Sequence, residues 1–168
     1  MRRRSDDDDS PKKPQPSAFN KALGLLARRE QSAKELKRKL DRQGYESDET
    51  GAALDRLQEL SFQNDERFAG SLARTRYMQG HGPRRILAEL RTHGLDDDAC
   101  RAALDEVDAD WTGSARRQYQ RRYGAKPAAD RQETARRAAF LLRRGFDAAT
   151  VRAITHAADV DDSADDFD

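Results

Sequence analysis

The sequence has little of what a β-sheet or a disulfide-stapled domain needs. It contains three valines and two isoleucines, while Leu, Ala, Arg and Glu are abundant and aromatic residues make up only 7%. That balance disfavours sheets and favours helices. Cys100 is the single cysteine of the chain, so an intrachain disulfide is excluded.

Long apolar runs are also missing. The longest strongly apolar run is Ala138 to Leu142, which is far too short to span a bilayer. The basic start, Met1 to Arg4 with three arginines, is followed by Ser5 to Asp9, where a secretory signal would need an apolar stretch. We therefore expect a soluble cytoplasmic protein that has no membrane partner.

Catalytic patterns are absent as well. The sequence has neither a P-loop nor a G-x-G-x-x-G that follows a strand. His81, His93 and His156 are scattered without metal-ligand spacing. Cys100 has no identifiable base beside it and is better explained as a small core residue. We expect no enzymatic activity, no cofactor and no metal.

Charge, by contrast, is plentiful and ordered. Charged residues make up 38% of the chain, yet the formal net charge is only +1. The sign alternates three times, because residues 18–46, 67–94 and 114–145 are basic whereas 47–66, 95–113 and 146–168 are acidic. A regular alternation of this kind indicates an internal repeat.

The repeat is centred on three glycines spaced 50 and 51 residues apart. A leucine precedes each glycine by four positions, and a bulky apolar residue follows it. The three sets are Leu40-Gly44-Tyr45, Leu90-Gly94-Leu95 and Leu141-Gly145-Phe146. Glycine just past the last helical turn is typical of a left-handed helix terminus, so each set predicts the end of a helix.

Each unit therefore predicts two basic helices, a glycine turn and an acidic helix. Helix caps are expected from Ser32, from Ser47 or Asp48, from Asn64 or Asp65, from Asp96 or Asp97, and from Asp147. The nine predicted helices span 18–30, 33–43, 48–60, 65–79, 83–93, 97–109, 113–124, 130–144 and 148–158. After the glycines, Thr50, Cys100 and Val151 occupy matching inward positions.

The predicted fold class is all-α, with three tandem three-helix repeats forming an elongated, curved array. A unit of about fifty residues buries too little surface alone, so neighbours are expected to stack. The predicted repeats are 18–64, 65–112 and 113–158. Residues 1–17 are expected to be a disordered charged segment and 159–168 a disordered acidic tail.

Paired basic residues are the candidate partner-binding groups. A single pair is usual on any solvated helix, but three patches in register favour phosphate backbones or acidic protein grooves. The candidates are Arg28, Arg29, Lys34, Lys37, Arg38, Arg42, Arg84, Arg85, Arg117, Arg121, Arg122, Arg136, Arg143 and Arg144. Arg137 is left out because the first two copies have an apolar residue at its position. No base-reading element is evident, so recognition of a specific DNA sequence is not expected.

The motifs of all three copies resemble the RecX regulatory proteins. The first copy shows Leu26-Ala27-Arg28-Arg29-Glu30-Gln31-Ser32 before its leucines. The second shows Asn64-Asp65-Glu66-Arg67-Phe68-Ala69 and then Gly80-x-Gly82-Pro83, and the third Arg143-Arg144-Gly145-Phe146. The likeness extends over about residues 18–158.

The resemblance implies a modulator of the RecA recombinase, and we expect the protein to be a monomer. Proteins of this family are tandem three-helix repeats that lie in the groove of the RecA–DNA filament and usually inhibit it. The implied partners are the RecA filament and single- or double-stranded DNA, in DNA repair, recombination and the SOS response. The alternative from the residues alone is a general helical nucleic-acid-binding protein that acts through a basic stripe.

Overall fold

The computed structural model describes residues 15–156, and within that range the chain forms nine α-helices and no strand. The helices are α1 (Ala18–Leu26), α2 (Ala33–Asp41), α3 (Ser47–Glu59), α4 (Asp65–Met78), α5 (Pro83–Thr92), α6 (Asp97–Asp105), α7 (Trp111–Tyr123), α8 (Arg131–Arg143) and α9 (Ala148–Thr155). The all-α class and the three-helix repeat are thereby confirmed. Most of the predicted charged segment (1–17) and all of the predicted tail (159–168) lie outside the described residues.

Each repeat closes around its own small apolar core. Helices pack mainly against the other two helices of the same repeat. The leucines of the second helix, such as Leu36 and Leu40, are one turn apart and fully buried. Thr50, Cys100 and Val151 are also fully buried, which confirms the predicted inward positions of the third helices.

The glycine turns end the second helices as predicted. Gly44, Gly94 and Gly145 all have left-handed backbones, with φ of 85°, 85° and 89°. After Gly44, the backbone N–H of Tyr45 donates to the carbonyl of Leu40 at 3.3 Å, and Phe146 repeats this bond to Leu141. This bond reaches back over the glycine and satisfies a carbonyl that the helix end would leave open.

Most predicted helix caps are confirmed, and one is wrong. The side chains of Ser32, Asn64, Asp96 and Asp147 each accept a hydrogen bond from a backbone N–H in the first turn of the following helix. Neither Ser47 nor Asp48 caps α3, because both lie inside the helix. Glu46 takes the cap position there and makes no side-chain cap.

Five helix boundaries differ from the prediction by two to four residues, and two of them are the end of α2 at Asp41 rather than 43 and the end of α9 at Thr155 rather than 158. Helix α1 stops at Leu26 rather than at residue 30, because the buried Gln31 side chain donates to the carbonyl of Leu25 at 2.8 Å and holds the chain in a turn. Helix α6 stops at Asp105 rather than at 109, because the backbone is left-handed at Asp108. Helix α7 begins two residues early, at Trp111.

The described part of the N-terminal segment contacts the first repeat. The hydroxyl of Tyr45 donates to the carbonyl of Pro16 at 2.6 Å. The side chain of Ser17 accepts from the backbone N–H of Asn20 and so caps α1. Pro16 and Ser17 therefore belong structurally to repeat 1.

Candidate partner-binding surface

Repeats 1 and 2 meet where the last turn of α5 approaches the first turn of α2. The Nζ of Lys34 donates to the carbonyl of Thr92 at 2.8 Å, and the hydroxyl oxygen of Ser32 lies 2.9 Å from Nδ1 of His93. A cation at the carbonyl end of a helix opposes the negative end of the helix dipole. This contact brings the basic face of α2 beside the end of α5.

Repeats 2 and 3 meet at the equivalent positions. The backbone N–H of Gly82 donates to the carbonyl of Arg144 at 2.7 Å, and that of Arg84 donates to Gly145 at 3.0 Å. A Cβ at Gly82 would collide with the backbone of Gly145, so the close approach depends on glycine. The three second helices thus follow one another along the molecule, each contacting the next near its ends.

The first predicted patch lies in a groove between α2 and α5. The groove has a volume of 780 Å³. Its basic lining residues are Lys34, Lys37, Arg38 and Arg42, and its acidic ones are Glu35, Asp41 and Glu89. The structure therefore brings these four predicted cations together, but it places three carboxylates among them.

The carboxylates of Glu35 and Glu89 are held by cations of their own. Although burial by itself raises the pKa of Glu35, hydrogen bonds from Arg29 and Lys39 bring this pKa below its usual value. Glu89 accepts two hydrogen bonds from Arg76, at 2.7 and 2.6 Å, and these lower the pKa of its carboxyl. Both acids are thus ionised, so negative charges stand among the four lining cations of the groove.

The second concentration of charge, which we call the arginine cluster, is formed by Arg85, Arg121, Arg122 and Arg144 at the junction of repeats 2 and 3. The guanidinium carbons of Arg122 and Arg144 lie 4.6 and 5.3 Å from the centre of the same Phe140 ring. Burial, and then the positive charges of the other three arginines, lower the pKa of Arg144.

Backbone carbonyls hold two members of the arginine cluster in place. The Nη1 of Arg144 donates to the carbonyl of Gly80 at 3.1 Å, and the Nη1 of Arg85 donates to that of Arg143 at 3.2 Å. Each guanidinium has five N–H groups, so donors remain for a ligand. The like charges are kept close together by these contacts and by the aromatic ring.

The remaining predicted residues are more scattered. Arg28, Arg136 and Arg143 are exposed and line neither feature. Arg117 is exposed and its Nη2 lies 3.4 Å from the hydroxyl of Tyr77. Arg84 contacts Gly145 through its backbone N–H.

Sequence reasoning missed the acidic and aromatic partners of the basic residues. Glu35 and Lys39 lie four residues apart on one helix, so their ion pair could have been predicted from the sequence. Arg76 and Glu89 are on different helices, and Phe140 is reached from α7, so these contacts follow only from packing.

No alternative chemistry stands out in residues 15–156. In that range no three His, Cys, Asp or Glu side chains are grouped so that they would hold a metal ion. Cys100 is buried, and burial raises the pKa of its thiol, which keeps it protonated near neutral pH. Over the same range no helix is both long and apolar enough to cross a membrane.

The arrangement defines the chain as a tandem three-helix repeat protein. Models of the three RecX three-helix domains match it in order, the first over residues 18–57, the second over 64–104 and the third over 112–155. The chain belongs to the RecX family.

Relatives of known name agree with this assignment. The regulatory protein RecX of Xanthomonas axonopodis pv. citri (strain 306) is 47% identical over 135 residues, which cover 80% of this chain and 83% of the relative. That of Stenotrophomonas maltophilia (strain R551-3) is 45% identical over the same coverage.

Solved structures share the fold. A crystal structure of regulatory protein RecX matches with a TM-score of 0.68 at 22% identity, over 83% of this chain and 70% of that one. The crystal structure of RecX from Lactobacillus salivarius matches with a TM-score of 0.65 at 24% identity, over 83% and 92% of the two chains.

Proposed function

We propose that this protein binds the RecA–DNA filament and inhibits the recombinase and ATPase activities of RecA. Membership of the RecX family, whose matched relatives are called regulatory proteins, carries the proposal. The action on RecA is what the family resemblance implies. The role belongs to DNA repair and recombination in the cytoplasm, as part of the SOS response.

The repeated build of the molecule suits a repeating partner. Three similar units in tandem offer similar surfaces at intervals, as a helical filament does along its length. Once one unit is bound, the others act at a high effective concentration, so several weak contacts add up to strong binding. In this proposal the protein works as a monomer and by binding alone, without catalysis.

The direct test measures two activities of RecA from the same organism, the DNA-dependent ATPase rate and strand exchange, while this protein is titrated in. We expect both activities to fall as the ratio of this protein to RecA rises.

A matched pair of variants tests whether the arginine cluster is the surface that inhibits RecA. Arg121→Glu with Arg122→Glu should weaken inhibition, whereas Arg56→Glu with Arg101→Glu should not, because these exposed arginines lie on the third helices α3 and α6.

The absence of any effect on RecA at every ratio would refute the proposal.

The second candidate is general nucleic-acid binding, and the cationic arginine cluster is the observation that favours it. Binding to bare single-stranded DNA and to RecA-coated DNA at matched salt separates the two. Tighter binding to bare DNA would favour the second candidate, whereas tighter binding to the coated DNA supports the RecA proposal.

A further inference from the structure

We infer that the arginine cluster is a nucleic-acid phosphate site, whereas the groove between α2 and α5 is not. The inference rests on the proposed function and deepens it, since it assigns the DNA of a RecA–DNA filament to one junction of the array. The two surfaces carry similar numbers of cations. They differ in what surrounds those cations.

Within residues 15–156, the arginine cluster contains no neutralising acid. Among residues 15–156, no carboxylate forms an ion pair with Arg85, Arg121, Arg122 or Arg144. In the α2–α5 groove, by contrast, Glu35, Asp41 and Glu89 stand among the cations. A phosphate that enters the groove meets carboxylates, while one that approaches the cluster meets guanidiniums that no carboxylate of the described chain pairs with.

Holding these cations together has a cost that an anion would relieve. The guanidiniums of Arg122 and Arg144 both contact the Phe140 ring, so two positive charges are held near one another, and backbone carbonyls fix Arg85 and Arg144. The lowered pKa of Arg144 agrees with mutual repulsion as well as burial. A phosphate placed between the guanidiniums would remove the repulsion and accept their unused N–H groups in pairs.

The aromatic ring in the cluster argues for phosphate contact rather than base stacking. Phe140 is only 9% exposed, and two guanidiniums already lie against it. A ring this buried cannot serve as the open stacking platform that single-strand binding requires. Contacts limited to phosphate do not distinguish sequences, so we expect binding without sequence preference.

Arginine continues along α7 beside the cluster. Arg117 is exposed and precedes Arg121 by four residues, so the two side chains are neighbours on one helix face. The face therefore presents more than one cation along a line, as a polymer of phosphates needs. A single small anion would engage only part of it.

The test uses the full chain without RecA, and measures the fluorescence anisotropy of a labelled twenty-nucleotide poly-dT as salt is varied. We compare the wild type with Arg121→Gln/Arg122→Gln. The control is Lys37→Gln/Arg42→Gln, which removes the same charge from the α2–α5 groove. Circular dichroism checks that all three proteins are equally helical.

We expect the cluster variant to bind about tenfold more weakly at low salt. The slope of log affinity against log salt should become shallower by about 1.4, because about 0.7 is lost for each phosphate contact to a single strand. The groove variant should keep the wild-type slope. Arg121→Gln alone should lower the slope by about half as much, and it does not disturb the ring contacts of Arg122.

Equal losses in the cluster and groove variants would overturn the inference, as would an unchanged slope or a wild type that does not bind the DNA. RecA inhibition, measured in parallel, separates this inference from the proposed function. If the cluster variant loses RecA inhibition but binds DNA normally, the cluster faces an acidic protein surface and the inference fails. If the cluster controls DNA binding while the wild type leaves RecA unaffected, the proposed function fails and the phosphate site stands.

Discussion

The hydroxyl oxygen of Ser32 lies 2.9 Å from Nδ1 of His93 and thereby joins the first two repeats. The same oxygen accepts the backbone N–H of Glu35 at 3.1 Å, which closes the first turn of α2. Its hydroxyl proton is thus available to a neutral His93, whose Nδ1 is then the acceptor. The Ser32 side chain therefore both caps α2 and contacts repeat 2.

Replacement of Ser32 by alanine should therefore cost more than the loss of an ordinary cap. We expect Ser32→Ala to lower the free energy of unfolding by about 2 kcal/mol, about 1 for the cap and about 1 for the contact with His93. The control is Asp96→Ala, which removes only the cap of α6 and should cost about 1 kcal/mol. Urea unfolding measures both, and equal losses would mean that the contact between repeats adds nothing.

The same contact should make stability depend on pH. Burial is the largest influence on His93 and lowers the pKa of its imidazole, with Arg38 and Arg29 acting in the same direction and Glu35 and Glu89 opposing. As pH falls below the unfolded-state value of 6.5, the unfolded chain takes up a proton that the folded chain resists. The stabilisation is therefore present above pH 6.5 and is lost as pH falls through the folded-state pKa.

The measurement is the urea midpoint at pH 7.5 and at pH 5.5 for the wild type and for His93→Gln. We expect the wild type to lose stability over this interval, and the variant to lose less. His156→Gln is the matched control, because His156 is exposed at the end of α9. A His93→Gln profile parallel to that of the wild type would contradict the prediction.

Two glycines with the same backbone should respond differently to alanine. Gly44 and Gly145 are both left-handed, but a Cβ at Gly44 would meet open space whereas one at Gly145 would collide with Arg85. We expect Gly44→Ala to cost about 1–2 kcal/mol, from backbone strain alone. Gly145→Ala should cost about 3 kcal/mol or more, because it also forces the junction of repeats 2 and 3 apart. Thermal unfolding distinguishes the two, and equal losses would show that the close approach is unimportant.

Arg137 should be essential for the third repeat although its position is apolar in the others. The side chain is 3% exposed, and it donates to the hydroxyl of Tyr119, to Glu133 and to the carbonyl of Lys126. Arg137→Ala leaves those groups without their partner and should destabilise the protein. Arg137→Leu, which copies Leu36 of repeat 1, should lose less because it fills the space. Both variants lose the same hydrogen bonds, so a leucine variant that is the more harmful of the two would show that the space does not accept leucine and would contradict the prediction.

The repeat could be predicted from the sequence because the interactions that form helices and turns are local. Leucines four residues apart, a glycine that accepts a left-handed backbone and an acidic cap all act within a few residues of one another. The same spacing predicted the burial of Thr50, Cys100 and Val151, and the structure confirms it. Membership of the RecX family followed from the same motifs.

The candidate partner-binding surface was harder to predict from the sequence, because it is formed by residues from different helices. Fourteen basic residues looked alike in the sequence. Packing places four of them in the α2–α5 groove, where three carboxylates stand among the cations, and four in the arginine cluster, whose members form no ion pair with a carboxylate among residues 15–156. Ion pairs such as Arg76 with Glu89 join positions 13 residues apart on two helices, and no periodicity reveals them.

The sequence by itself determined the class of structure, the three-fold repetition, the ends of most helices and the family, since each follows from local preference and spacing. Tertiary structure alone decided which cations are neutralised, which are crowded together and where neighbouring repeats meet. The reason is physical: charges interact through space, so the effect of an arginine depends on the side chains that folding places beside it.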